Sequence, residues 1–309
     1  LAHEMSDLAQ EEYGKIRGVS RWLKRAPEHT QELWHDAGIE PRAIDREVSC
    51  AMHMTHMGNT SKPEALIRQA LRNGLSDGWG GSMCGTEFSD VLFGTPKPID
   101  TEANLGVMVA ENVNIVVHGH DPSLSEMICE YADSKEMIDY AKSMGAKGIT
   151  VSGVCCTSNE VAMRRGIPMA GNFLQQENVV LTGACEAIVV DVQCIFPALG
   201  PLSKCFHTKF ITTSPICQMP DSDFIEFDSS NAGETAKNIV KLACENFKNR
   251  KPELVHIPEM KKKATVGYSV EAIVKTLDGV TNSQVDETGT TKPLLECITS
   301  GVIRGAVAM

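Results

Sequence analysis

Short apolar runs rich in β-branched residues, separated by helix-like segments, constrain the fold of this chain more than any other feature. Four such runs lie at residues 113–120, 147–153, 187–194 and 209–214. A segment with helical periodicity and a glycine at its end, residues 122–145, separates the first two runs. Parallel strands covered on both faces have this continuous apolar character, and each needs a crossover helix to reach the next. The sequence therefore predicts an α/β fold with a Rossmann-like parallel sheet.

Two changes of sequence texture predict three domains. Residues 1–97 show apolar positions at helical spacing and no strand-like alternation, so they predict a helical domain. Residues 98–257 form the predicted Rossmann-like domain, and residues 258–309 are expected to begin a second α/β domain with a helix and then a strand. The chain starts without methionine and stops inside an apolar stretch. We therefore expect this chain to be an internal fragment of a longer protein, truncated at both ends.

Composition excludes several classes of function. The net charge of −11 disfavours a nucleic acid as partner, because phosphate binding requires a basic surface. No apolar run reaches the roughly 18 residues of a membrane span, and no export signal is recognisable, so we expect a cytoplasmic protein. The chain has 11 cysteines, an odd number. In a cytosolic chain, surplus cysteine indicates metal binding or catalysis more often than disulfides.

Metal-binding residue types follow three of the predicted strands. The first run ends at His118 and His120, the second is followed by Cys155 and Cys156, and the third ends at Cys194. The carboxyl ends of parallel strands share one edge of a sheet, where ligands gather. Thiolate and imidazole together suit zinc, nickel or an iron–sulfur cluster. Taken singly, such a histidine is more often a structural residue and such a cysteine is more often a buried thiol.

Five long motifs together resemble the catalytic subunit of the anaerobic nickel carbon monoxide dehydrogenases. The resemblance covers nearly the whole chain, with the motifs in order. They are LSDGWGGSMCGTEFSDVLFGTPKP, VNIVVHGHDPSLSEMI, GVCCTSNEVAMRRGIPMAGNFLQQE, EAIVVDVQCIFP and CFHTKFITTSP.

The resemblance implies an enzyme that interconverts CO and water with CO2, two protons and two electrons. It implies a nickel–iron–sulfur cluster, the C-cluster, with His120 as ligand of its unique iron and with Cys156 and Cys194 as further ligands. Asp77 matches an aspartate that assists proton transfer, although a helix cap or an ion pair would equally explain an aspartate there.

The resemblance also implies components that lie outside this chain. They are further 4Fe–4S clusters, a ferredoxin-like electron carrier, a second copy in a homodimer and, in some members, an acetyl-CoA synthase. Three cluster ligands are fewer than the four or so that a cluster needs. We therefore expect this polypeptide on its own to be inactive.

Two other readings remain open from the sequence. A hybrid cluster protein of the hydroxylamine reductase type shares the sheet and the strand-end histidine, but it would carry a glutamate motif that is missing here. A non-catalytic, cysteine-rich α/β module would have Cys156 and Cys194 far from His120. A nicotinamide-dependent dehydrogenase is disfavoured, because no G-x-G-x-x-G follows any of the strands.

Overall fold

The structure, a computed structural model, describes residues 23–24, 26–43, 46–278 and 292–305. It divides the chain into two compact units, Leu1–Thr95 and Pro96–Met309. The first boundary of the predicted domains, at 97/98, lies close to this division. The three-domain division as a whole stays a prediction.

The first unit is built of helices joined by turns in its described part, as the sequence predicts. Its helices are α1 (Glu28–Ala37), α2 (Arg46–Met54), α3 (Pro63–Ser76), the π-helix Asp77–Ser82 and α4 (Met83–Phe93). Inside this unit the buried Glu47 accepts hydrogen bonds from Arg42 Nε (2.8 Å) and Gln69 Nε2 (2.8 Å). This buried charge is thus paired, which is the condition under which a buried carboxylate is tolerated.

The second unit contains an eight-stranded sheet in the order β7-β6-β5-β2-β3-β4-β1-β8. All neighbouring strands are parallel except β1 and β8, which pair antiparallel. The strands are β1 (Ile99–Ala103), β2 (Val113–Gly119), β3 (Ile149–Val154), β4 (Met169–Gly171), β5 (Cys185–Val190), β6 (Lys209–Thr212), β7 (Asp223–Phe224) and β8 (Lys262–Val266). The predicted α/β fold and its four principal strands are confirmed.

Helices cover both faces of this sheet. They are α5 (Pro122–Ala132), α6 (Lys135–Ser143), α7 (Cys155–Arg165), α8 (Gln176–Leu181), α9 (Leu199–Cys205) and α10 (Ala232–Asn246), followed by α11 (Val270–Asp278) and α12 (Lys292–Thr299). The central strand β2 is buried along its whole length. Its Ile115 joins a core cluster with α5, α6 and α10, whereas Val116 joins a second cluster with α8 and α9. Alternate side chains of one strand therefore fill two cores.

Three details differ from the sequence prediction. The single helix expected over 122–145 is two helices, because Ser134 caps a new helix by accepting a bond from Met137 N (3.3 Å). The strand expected after residue 292 is instead helix α12, and residues 306–309 lie outside the described part. Strand β8 pairs with β1 over five residues. Residues 262–266 thus belong to the main sheet.

No helix in the described part of the chain is both long and apolar enough to cross a bilayer.

A buried network of hydrogen bonds and ion pairs stabilises the amino end of the sheet. Glu186 in β5 accepts bonds from Arg250 Nε (2.7 Å) and from Asn114 N (2.6 Å), and it contacts His207 Nε2 (2.8 Å). The Glu186 side chain is fully buried and that of Arg250 is 7% exposed. Arg250 also donates to the carbonyls of Asn112 (2.7 Å) and Ala184 (3.1 Å). Because every member has partners, the network can hold charge inside the protein.

Replacing Glu186 with glutamine should destabilise the fold strongly. The substitution keeps the shape but leaves the guanidinium of Arg250 buried without its counter-charge, which costs about 3–5 kcal/mol. Urea denaturation would measure this loss in the free energy of unfolding. As a control, Glu136→Gln removes one partner of the exposed Lys237–Glu136 pair and should change little. Equal effects of the two variants would contradict a special role for the buried network.

Candidate metal centre

The strand register brings three loops of the second unit together. His118 in β2 lies opposite Val154 in β3 and Val190 in β5. The residues after these positions therefore leave the sheet side by side, and Gly119 forms a further bridge with Cys155. In this strand order, β2 and β5 are neighbours, but the chain continues from β2 to β3 on one side and from β5 to β6 on the other side. The two connections therefore run in opposite directions along the sheet. The crevice between them is the topological switch point, where ligands of open α/β sheets bind.

Three metal-binding side chains meet at this edge. One ligand atom each of His120, Cys155 and Cys156 lies within 4.8 Å of the other two. His120 follows β2, and the two cysteines form the first turn of α7. His120 and Cys155 are half-buried, whereas Cys156 is exposed. A soft donor set of two thiols and an imidazole fits a zinc, nickel or iron–sulfur site.

Cys194 stands next to this group through its contact with Cys155. Burial raises the pKa of the Cys155 thiol to about 12, and the neighbouring thiols of Cys156 and Cys194 add to the rise. A bound cation would compete with these protons and favour the thiolates. Cys194 is therefore a further candidate beside the group of one imidazole and two thiols.

The ring of His120 has a defined orientation. Its Nδ1 lies 3.1 Å from the carbonyl oxygen of Val192. A carbonyl only accepts, so Nδ1 is the donor in this contact and Nε2 is the nitrogen left to face a metal. Histidines that bind metals are commonly held in this way by a carbonyl on the second nitrogen.

His118, the other candidate histidine, serves the scaffold. It is buried and contacts Gln176 Oε1 through Nε2 (3.0 Å). Burial lowers its pKa, so the ring stays neutral. Gln176, itself buried, donates to the carbonyl of Cys194 (2.9 Å) and accepts from Phe196 N (2.8 Å). His118 and Gln176 thus fix the backbone on both sides of Ile195.

Backbone strain accumulates at the same place. Five non-glycine residues of the described chain have positive φ, and three of them are Cys155 (69°), Gln193 (62°) and Cys194 (57°). Side chains rarely adopt this left-handed region, and such residues concentrate at functional sites. The thiols of Cys155 and Cys194 are therefore presented from conformations that the surrounding contacts must impose.

The structure treats the four predicted site residues differently. It brings His120 and Cys156 together, and it places Cys194 beside Cys155, a residue that the sequence analysis did not choose as a ligand. Asp77 lies in the first unit, where it is exposed and begins the π-helix. The assignment of the four residues to their roles stays a prediction.

Two further residues escaped the sequence analysis. Asp191 directly follows β5 and accepts hydrogen bonds from two loops and one helix turn, and Gln176 lies in α8. An acidic residue at the carboxyl end of a buried strand is a usable signal for Asp191. Gln176 gives no signal, since its partners are distant in sequence.

Removal of the Gln176 amide should weaken the fold around Cys194. Gln176→Leu leaves His118 Nε2 buried without its partner, and it removes the part-buried bonds to the Cys194 carbonyl and from Phe196 N. We expect a loss of about 2–4 kcal/mol in the free energy of unfolding. Thermal and chemical denaturation would measure it. In the control Gln175→Leu, only one accepted bond, from Asn172 N (2.9 Å), is lost at a half-buried position, so the effect should be clearly smaller.

Comparison with known proteins agrees with this geometry. The sequence profile of the Prismane/CO dehydrogenase family matches residues 1–309. Carbon monoxide dehydrogenase 1 of Methanosarcina mazei is 48% identical over 309 residues, which are 100% of this chain and 48% of that protein. The chain thus spans about half the length of such relatives.

Two solved structures resemble the whole fold. The nickel-free crystal structure of carbon monoxide dehydrogenase from Thermococcus sp. AM4 has a TM-score of 0.90 and 49% identity, over 98% of this chain and 46% of that chain. A structure of acetyl-CoA synthase/carbon monoxide dehydrogenase has a TM-score of 0.87 and 38% identity, over 98% of this chain and 44% of that chain. The chain belongs to the Prismane/CO dehydrogenase family.

Proposed function

We propose that the complete protein is a carbon monoxide dehydrogenase that interconverts CO and water with CO2, two protons and two electrons. The observation that carries the proposal is the meeting of His120, Cys155 and Cys156 within 4.8 Å at the switch point of the sheet. The names of relatives at about half identity support the same reaction.

The proposed cofactor is a nickel–iron–sulfur cluster, the C-cluster, with His120, Cys156 and Cys194 as its ligands from this chain. Such a cluster supplies a site where CO and water react and where the two electrons are received. Cys155 lies close enough to complete or to shield the ligand set. Thiolates suit low-valent, soft metals, whereas the imidazole of His120 provides a harder donor.

Asp77 is proposed as the proton-exchanging group. The reaction releases two protons, and a carboxylate in contact with solvent can pass them on. Asp77 is exposed and opens the π-helix Asp77–Ser82, a type of distortion that is frequent at functional sites. A role as a helix cap or in an ion pair is the alternative for this residue.

The partners of the complete protein are proposals at the same level. The released electrons require an acceptor, for which we propose further 4Fe–4S clusters and a ferredoxin-like carrier. We also propose a homodimer and a cytoplasmic location. Association with an acetyl-CoA synthase is supported by the acetyl-CoA synthase/carbon monoxide dehydrogenase among the similar structures.

The competing functions have less support. A hybrid cluster protein is not favoured, since relatives that share about half of the sequence carry the name carbon monoxide dehydrogenase. A non-catalytic module predicts that Cys156 lies far from His120, whereas the two ligand atoms lie within 4.8 Å.

Substitution of single cysteines tests the ligand assignment. In the complete native protein, purified without oxygen, Cys156→Ser and Cys194→Ser should each lower CO-dependent reduction of a viologen dye by about 100-fold or more, because a lost ligand costs more than a lost outer contact. Nickel and iron analysis should show a parallel loss of metal.

The matched control is Cys205→Ser. This exposed thiol contacts only the carbonyl of Pro201 (3.6 Å) among the bonds described, so metal content and activity should be retained. Full activity in Cys156→Ser together with its loss in Cys155→Ser would show that Cys155, and not Cys156, is the ligand. Full activity in all of these variants would contradict the proposed site.

A further inference from the structure

Two loops and one helix turn of the candidate metal centre converge on one carboxylate. Asp191 Oδ1 accepts hydrogen bonds from His120 N (2.6 Å) and, at short range, from Val192 N. Asp191 Oδ2 accepts from Asp121 N (3.0 Å) and from Thr157 Oγ1 (3.1 Å). The carboxylate thereby joins the loop after β2, the loop after β5 and the first turn of α7.

Each of these bonds ends at or beside a candidate ligand. His120 is bound through its own amide, and Thr157 directly follows Cys156. Val192 has a double role, because its amide donates to Asp191 while its carbonyl accepts from the ring of His120 (3.1 Å). The same carboxylate thus controls both the backbone and, through Val192, the ring orientation of His120.

We infer that Asp191 is a positioning residue that holds His120 and the Cys155–Cys156 turn in register for metal binding. The inference rests on the proposed function and adds a residue that contacts no ligand atom itself. A carboxylate suits this role better than other side chains, because all four partners are donors and an ionised carboxylate is an acceptor only.

Gly119 makes the arrangement possible. Its φ is +126°, and a Cβ atom built on it would lie 1.9 Å from Asp191 Oδ1. Any side chain at position 119 would therefore push the carboxylate away from the amide of His120. Substitution at Gly119 is thus a second way to break the same contacts, without changing the chemistry of Asp191.

The alternative is that Asp191 only stabilises the fold. The two roles differ in where a substitution acts. A positioning role predicts loosening at the amides of His120 and Asp121 and a change in metal binding while β2 and β5 stay intact. A role in general stability predicts equal loosening throughout the sheet.

The test compares Asp191→Asn and Gly119→Ala with the native protein, in the complete protein. Asparagine has nearly the same shape but places an amide donor against the donors of Asp121 and Thr157. Hydrogen exchange of the peptide containing residues 119–122, measured without added metal, should accelerate by about 10- to 100-fold in both variants, as expected for the loss of charge-assisted bonds. Exchange within β2 and β5 should stay unchanged.

Metal binding provides the second measurement. After anaerobic loading with iron, sulfide and nickel ions, we expect both variants to hold metal about 10- to 100-fold more weakly than the native protein. The Mössbauer spectrum of the remaining iron should also change, since the histidine ligand is no longer fixed. The double variant should be no worse than either single one, because both changes remove the same contacts.

Asp228→Asn is the matched control. Asp228 also caps backbone and side-chain donors, those of Ser230 (2.8 and 2.7 Å), but on an exposed turn before α10. It should alter neither metal content nor exchange at residues 119–122.

Unchanged exchange at residues 119–122, or faster exchange with native metal binding and an unchanged spectrum, would overturn the inference. Uniformly faster exchange across the sheet would also overturn it in favour of general stability. If the native protein itself holds no nickel or iron, the proposed function falls together with the positioning role. Native metal binding with native-like variants defeats the inference alone.

Discussion

The parallel register of β2, β3 and β5 is the constraint on which the rest of the site depends. It sets His118 opposite both Val154 and Val190, so the three strands end at one level. A shift of any strand by one residue would turn its side chains to the other face and bury ligands in a core. Two different cores, on either side of β2, penalise such a shift. The register of the candidate metal-binding loops is therefore secured by the apolar packing beneath them, to which Cys155 and Ile195 themselves contribute.

The amino and carboxyl ends of the strands carry different kinds of groups. At the amino end, Glu186, Arg250 and His207 form a buried network whose members are all paired. At the carboxyl end, two thiols and an imidazole stand together, and the carboxylate of Asp191 accepts hydrogen bonds from the neighbouring loops. The thiols and the imidazole at the carboxyl end would be poor choices for stability alone.

The sequence allowed prediction of the sheet, its principal strands and the edge that carries the ligands, because those properties follow from strand periodicity and chain direction. His120 and Cys156 could be named as ligands only through resemblance to a known family. The position of Asp191 after a buried strand was a usable signal, although its hydrogen-bond partners follow only from the fold. The role of Gln176 could not be predicted, since its partners are brought close by the fold and not by the chain. Strand β8 was missed for the same reason: its partner β1 lies about 160 residues earlier in the sequence.

The left-handed conformations of Cys155, Gln193 and Cys194 show how firmly the site is held. Each costs about 1–2 kcal/mol relative to ordinary backbone conformations. Nearby hydrogen bonds offset this cost. Asp191 accepts bonds from His120 N and from Thr157 Oγ1. Gln176 donates to the carbonyl of Cys194 (2.9 Å). These bonds run between groups of the protein and hold the backbone from which the thiols are presented. A site ordered in this way loses little conformational entropy when a metal binds, which favours binding.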